Sequence, residues 1–493
     1  MGTEDVRVNA SSGDGNASSK IAVDSKHLVA IEDQREEQRD DNTLTSAWGT
    51  ARSLINAAVS GGVLALSYQI PRAGFGLVTL LMLVSAFLLY ETLMMLYKTT
   101  LLLRVSSYTG AVRKLWGRRA ERGVALSLTL GQFGILVGYA NVLRDTIPWV
   151  IQYNVMGCVD SDENCDLPVY LRSWFLITII MLVFIVPLSL RSDPDLFANI
   201  SFTTFVHFGA FLVLVCYGAS IYHVSNLSDS AVYTEDEALA LGLPIAPNLY
   251  PSPSDGAPAP FIFSDQAVLV LAILAFAMEA HTTGLEILYG TRMRPEDQRP
   301  EESPDDHKIR VTSLVVAGSF AAVFVYYLII MLGAYMAFGP KVKDNALNSF
   351  PSSDIFAQVI RCTYTFELGT SVPIYVYAMR RDLTASLFNI EGGQADIDRV
   401  EKENPKRTIF ITLTLLVLST VLGVLGTLSI ILGLTGAIVT ALNTYVFPSM
   451  LYYTFAKQQG NDGWEFKVSL PLAIFGVLVS IIALYSQINL LVN

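Results

Sequence analysis

Residues 54–68 read LINAAVSGGVLALSY, and the fold turns on how this stretch is understood. It is apolar enough for hydrocarbon, yet it holds Asn56 and then Ser60-Gly61-Gly62. Each glycine weakens a helix by about 1 kcal/mol relative to alanine. In a bilayer every backbone N–H and C=O needs a partner, so an unwound stretch persists only where it lines a cavity or is wrapped by protein. Two readings follow. Either small residues let two helices pack closely, or a helix is broken at a binding site, as in carriers whose interrupted segments hold the cargo. The stretch alone does not separate them.

The surrounding chain has the composition of a membrane protein. Of its 493 residues, 52% are hydrophobic and only 16% charged, where soluble proteins carry about 25% charged. Apolar windows of at least about 18 residues recur, each long enough for a hydrocarbon core of about 30 Å. Eleven spans are expected, near 48–71, 74–97, 124–150, 172–190, 197–222, 263–289, 311–338, 356–379, 408–427, 429–455 and 467–491. The ninth and tenth are parted only at Gly426-Thr427, so ten is the alternative count. The fold class is all-α and polytopic. Residues 1–46 are polar and acidic and cannot bury enough apolar surface to fold, which predicts a disordered tail. The membrane domain then occupies 47–493. The net charge of −11 comes largely from the tail and loops and points to no particular partner.

Basic residues set the orientation. The connection after the second span carries Lys98, Arg104, Arg113, Lys114, Arg118, Arg119 and Arg122 against Glu121 alone, while 223–262 has no Lys or Arg. Positive loops stay cytoplasmic, which predicts a cytoplasmic N-terminus and, with eleven spans, an outer C-terminus. Asn226-Leu227-Ser228 is then a glycosylation sequon in an outer loop. Cys158 and Cys165 share another outer loop, where an oxidising exterior permits a disulfide.

Polar residues inside spans are costly and mark sites by default. The third span holds Gln132, Tyr139 and Asn141, then the adjacent pair Arg144-Asp145, which can neutralise itself at the interface. The sixth reads AFAMEAHTTGLE from Ala275 to Glu286, with Phe276, Glu279 and His281. Three ionisable groups within ten residues of a span make simple packing a less comfortable account of His281. The eighth holds Glu367, Thr370, Ser371 and Pro373. Consecutive hydroxyls before a proline suit a small hard cation, or they bond back to their own helix. The interrupted first and sixth spans occupy matching positions in two sets of five, the pattern of an inverted repeat with its site at the midplane.

In this order the motifs resemble the amino acid/auxin permease family, the amino acid transporter transmembrane domain, and particularly its sodium-coupled neutral amino acid transporter branch. That family's first helix carries N-A-x-x-G-x-G-[IV]-L-x-L-x-Y, matched from Asn56 to Tyr68 with Ser60 at the first glycine. Pro187-Leu188-Ser189-Leu190, Ala275-Phe276-Ala277 with His281, Ser371-Val372-Pro373 before Arg380-Arg381, and Gly433, Gly436-Ala437 and Pro448 follow in register. The match runs from 48 to 491. The resemblance implies the leucine-transporter fold, a 5+5 inverted repeat with one further C-terminal helix. It implies an amino acid held by Ser60, Gly61, Gly62, Phe276, Glu279 and His281, and a sodium ion at Asn56, Thr370 and Ser371. Two departures stand out: Glu279 where relatives have an uncharged residue, and Glu286 near a missing proline. A carboxylate there would either pair with a cationic substrate or carry the coupling proton.

The sequence therefore predicts a secondary active transporter for amino acids, coupled to Na⁺ or H⁺, with a lipid bilayer and a small-molecule substrate as its partners. The alternatives are an amino acid sensor on the same fold, signalling through its tails, and a cationic amino acid/proton symporter. No nucleophile–base pair or phosphate loop supports an enzyme, and no organic cofactor or nucleic acid is expected. Plasma and lysosomal or vacuolar membranes fit equally, and no oligomeric state is implied.

Overall fold

The computed structural model describes residues 45–59, 61–159, 165–190, 201–221, 224–225, 230–231, 260–263, 265–388 and 394–492. Ser60, the sequon at Asn226 and the expected tail up to residue 44 lie outside the described residues. Helices occupy every apolar segment read above. They are α1 (Ala47–Ala58), α2 (Ile70–Ala73), α3 (Phe75–Leu103), α4 (Tyr108–Trp116), α5 (Arg118–Arg144), α6 (Ile147–Met156), α7 (Ser173–Ile180) and α8 (Val186–Ser189). There follow α9 (Ser201–Ile221), α10 (Asp265–Ala277), α11 (His281–Tyr289), α12 (Pro304–Phe338), α13 (Ile355–Phe388) and α14 (Gln394–Glu403). The last four are α15 (Pro405–Leu425), α16 (Leu428–Thr435), α17 (Phe447–Gln459) and α18 (Trp464–Val492). A two-stranded pairing, Val224–Ser225 with Ser230–Ala231, is the sheet among the described residues.

Seven of these helical runs are long and apolar enough to cross a membrane, and the bent first segment makes an eighth. The segments at Ser173–Ser189 and Phe205–Ser220 are shorter apolar helices. Spans nine and ten are separate, because α15 stops at Leu425 and α16 begins at Leu428. The gap is held open by Asn141 of α5, whose Nδ2 donates to the carbonyls of Gly423 (2.8 Å) and Gly426 (2.7 Å). Those are carbonyls that a helix end leaves unpaired.

The described chain begins earlier than the boundary expected between 46 and 47. Thr45 N–H donates to the Gly290 carbonyl (2.9 Å), and Arg292 N–H donates to the Thr45 carbonyl (2.7 Å). Ser46 Oγ caps α1 by accepting from Gly49 N–H. Two polar residues that composition assigns to the tail are thus tied to the helices, because backbone pairing and helix capping do not depend on apolar side chains.

The first and sixth segments lie side by side and run in opposite senses. α1 packs against α11, while the 3₁₀ turn Gly61–Ala65 and α2 pack against α10. The first half of one broken helix thus meets the second half of the other, as an inverted repeat requires. α12 packs along α1, and α5 packs along both α13 and α15.

Candidate functional site

α1 ends where Val59 N–H makes its last helical bond, to the Ile55 carbonyl (2.8 Å), and the chain resumes as the 3₁₀ turn at Gly61, with a bend of 49° between the halves. The sixth segment breaks over Met278–Ala280, between α10 and α11. Both interruptions predicted from the glycines and from the polar run around Glu279 are therefore present, and they face each other.

Aromatic rings line the gap. A β-carbon added to Gly61 would meet the Tyr139 ring at 3.7 Å and the Tyr364 hydroxyl at 3.8 Å. That is ordinary contact, so the protein itself does not crowd Gly61, which is buried. Tyr139 of α5 packs edge-on against Tyr375 of α13, their centroids 5.7 Å apart. Tyr375 lies within electrostatic reach of both Glu279 and Glu367. Two acids, three phenols and an unwound glycine turn from four different segments converge on one point.

The expected site residues divide. Glu279 Oε1 accepts from the Thr282 N–H and from Thr282 Oγ1, both at 2.9 Å. It caps the start of α11, where a carboxylate is favoured by the free N–H groups and by the positive end of the helix dipole. The pattern Glu-x-x-Thr carried this signal, which reading Glu279 as a lone acid in a cavity overlooked. His281 is fully buried, with Nε2 2.9 Å from Thr92 Oγ1 of α3. Since Thr92 gives its own proton to the Leu88 carbonyl (2.9 Å), the hydroxyl accepts from His281, which is assigned as the neutral Nε2–H tautomer. His281 thus serves to join α11 to α3. Phe276 is buried in the core.

Of the three residues expected at the ion site, Asn56 has a buried Oδ1 with no hydrogen-bond partner among the described residues, an arrangement that needs explaining in a native structure. Thr370 Oγ1 donates back to the carbonyls of Phe366 (3.0 Å) and Glu367 (2.9 Å), and Ser371 Oγ stands 3.5 Å from Glu367 Oε1. The hydroxyl protons are taken by their own helix, which turns the oxygen lone pairs outward. Among the described residues no hydrogen bond joins Asn56 to either hydroxyl.

The residue that no motif singled out is Tyr327 of α12. It is fully buried, and its hydroxyl reaches the carbonyls of Ala58 (3.1 Å) and Ala277 (2.5 Å), the last residues of α1 and α10. One side chain thus touches both breaks. In sequence it is one of two adjacent tyrosines in an apolar helix, with nothing to distinguish it.

The outer parts of the bundle are held by polar clusters. Arg144 pairs with Asp145 at 2.7 Å, and Asp145 accepts from Asn348 Nδ2 at 2.8 Å, so the adjacent pair does neutralise itself. Cys158 and Cys165 are disulfide-bonded beside this end. At the other end Arg380, with no exposure, donates to Glu401 (3.1 Å) and to the Ser189 carbonyl (3.0 Å). On the connection before α12, Arg310 and Glu302 pair at 2.7 Å, and that guanidinium holds the Glu302 carboxyl down at about 2.

Paired broken helices crossing in opposite senses, with an uncrowded glycine turn between them, define a membrane carrier of the leucine-transporter fold. Solved structures agree on the fold: the inward-facing conformation of Mhp1 is similar with a TM-score of 0.54 at 10% identity, over 91% of each chain. A variant of the manganese transporter from Eremococcus coleocola matches with a TM-score of 0.54 at 12% identity, over 89% of this chain and 86% of that one. The family is more specific than the fold. Residues 43–489 match the model for transmembrane amino acid transporter proteins, and the chain belongs to that family. Sodium-coupled neutral amino acid symporter 2 of Danio rerio is 23% identical over 437 residues, 87% of this chain and 79% of its own length.

Proposed function

We propose that the chain is a sodium-driven symporter that carries amino acids into the cytoplasm. Family membership makes it a secondary active transporter of amino acids, and the symporter to which it is similar supports sodium as the driving ion. The observation that carries the reading is the junction of the two breaks: α1 and α10 stop opposite each other, and Gly61 of the turn between them stands beside Tyr139 and Tyr364. A half-helix start of this kind receives a substrate carboxylate, with the amino group directed toward the helix ends. Sodium binds between the first and eighth spans, on the orphaned Asn56 Oδ1 and on the lone pairs of Thr370 and Ser371. The N-terminus is cytoplasmic, which puts the disulfide, and a glycan on Asn226, outside.

The test is radiolabelled uptake into proteoliposomes under imposed sodium and then proton gradients. Sodium-driven accumulation is expected; accumulation that follows only the proton gradient would replace sodium by Glu367, which is buried with the Ser371 hydroxyl 3.5 Å from its Oε1. No uptake under either gradient would leave a sensor.

A further inference from the structure

We propose that Glu367 selects the side chain of the cargo, which makes amino acids with a long cationic side chain, such as arginine and lysine, the preferred substrates. This rests on the substrate reading above and adds the side-chain end of the same site. The two acids near the junction differ in what holds them. Glu279 has both donors of Thr282 at 2.9 Å. Glu367 has the Ser371 hydroxyl at 3.5 Å, longer than a hydroxyl–carboxylate bond of normal strength. It is only 7% exposed, and among the described residues no Lys, Arg or His pairs with it. A carboxylate buried in this way calls for a cation or a proton.

Its surroundings suit an organic cation. Tyr139 of α5 and Tyr364 and Tyr375 of α13 all lie within electrostatic reach of it. Phenol rings attract ammonium and guanidinium groups over their faces, and a guanidinium can meet a carboxylate in two parallel bonds. The position fits as well. Tyr364 and Glu367 are three apart on α13 and share a face, with about 5–6 Å between their Cβ atoms. The Tyr139 ring and the Tyr364 hydroxyl are the groups nearest Gly61, so Glu367 stands about one helical turn from the carboxylate cradle. A short side chain seated there falls short of Glu367; a long one reaches it. The Tyr364 wall is fixed from outside the cavity, because His207 of α9 stacks flat on it with centroids 4.4 Å apart, and His207 Nδ1 is 3.1 Å from Thr363 Oγ1. Sodium, on the oxygens of Thr370 and Ser371 one turn further along, is the competing partner for the carboxylate.

The experiment is thermal unfolding of the purified full chain in fixed NaCl, titrated with arginine or with citrulline, its uncharged isostere. A ligand that binds only the native state raises the midpoint with its concentration. Wild type should respond to arginine at a concentration at least about tenfold lower than to citrulline. Glu367→Gln should lose that preference and keep the citrulline response, and Glu367→Asp should recover part of the preference. In proteoliposomes, Glu367→Gln should lower arginine uptake while citrulline uptake and its half-saturating sodium concentration stay at wild-type values. A wild type that answers arginine and citrulline alike would overturn the proposal, as would a Glu367→Gln variant that keeps the preference. A higher sodium requirement for both substrates in Glu367→Gln would put the carboxylate in the ion site instead and overturn it too. If Glu367→Gln is not recovered folded, the wild-type comparison and Glu367→Asp decide. No midpoint shift with any amino acid would remove the carboxylate cradle together with the proposal, whereas a citrulline response without an arginine preference removes the proposal alone.

Discussion

Glu279, expected in the substrate site, has an architectural role in the structure as well. Its Oε1 is held by both donors of Thr282, and glutamine offers the same acceptor without the charge. Glu279→Gln is therefore expected to keep folded yield and neutral amino acid uptake. Glu279→Ala should lose about 1 kcal/mol with the cap and lower uptake of every substrate. Selective loss of arginine and lysine uptake in Glu279→Gln would instead make the carboxylate a specificity group. At the proposed ion site, Thr370→Ala together with Ser371→Ala should raise the sodium concentration for half-maximal uptake about tenfold, equivalent to about 1.4 kcal/mol. An unchanged sodium curve would remove both residues from the site. The composition of these positions was readable in advance; their partners were not. A carboxylate's role depends on which donors the fold brings to it, and Thr282 was in plain view three residues on, whereas Tyr327 gained its two carbonyls only through tertiary packing.

The tenth span separates glycines that serve packing from glycines that serve the site. Between α16 and α17 it widens into two π-helical turns, Gly436–Thr440 and Leu442–Val446, and such bulges gather at functional elements. A β-carbon on Gly436 would stand 2.1 Å from the Ala272 carbonyl of α10, a backbone atom that cannot step aside. Gly436→Ala should therefore cost at least about 1–3 kcal/mol by overpacking and sharply reduce folded yield on size exclusion. Gly61→Ala meets nothing closer than 3.7 Å, so it should fold normally and raise KM for the amino acid. Glycine counts alone rank the two alike; only the distance to neighbouring backbone distinguishes them. Arg380 and Glu401 make a second contrast between elements. Removing one partner of a buried pair strands a charge, at about 3–5 kcal/mol, so Arg380→Met should unfold more readily than wild type, and adding Glu401→Leu should recover much of the loss.

For the molecule as a whole, the order of apolar runs, the two interruptions and the gap at Gly426-Thr427 were legible because bilayer thickness and backbone satisfaction leave few alternatives. The division of labour inside the cavity was not, since it depends on side chains from segments far apart in the chain. One pH response follows from the Arg310–Glu302 clamp on the connection before α12. Glu302 titrates at about 2 in the folded chain against about 4.3 unfolded. A depressed carboxyl contributes its stability in full above the unfolded value and loses it as pH falls through the folded one. Protease sensitivity of this connection should stay constant from about pH 8 to 5 and rise only below about 4. A rise already at pH 6 would contradict the assignment. Removing residues 1–44 should preserve uptake, while removing Thr45 and Ser46 as well should not, because Thr45 joins Gly290 and Arg292, and Thr50 Oγ1 meets Thr291 Oγ1 at 3.1 Å. That tie has a mechanical meaning. α1 and α11 are yoked at the ends remote from their breaks, so the two half-helices are expected to move together rather than singly.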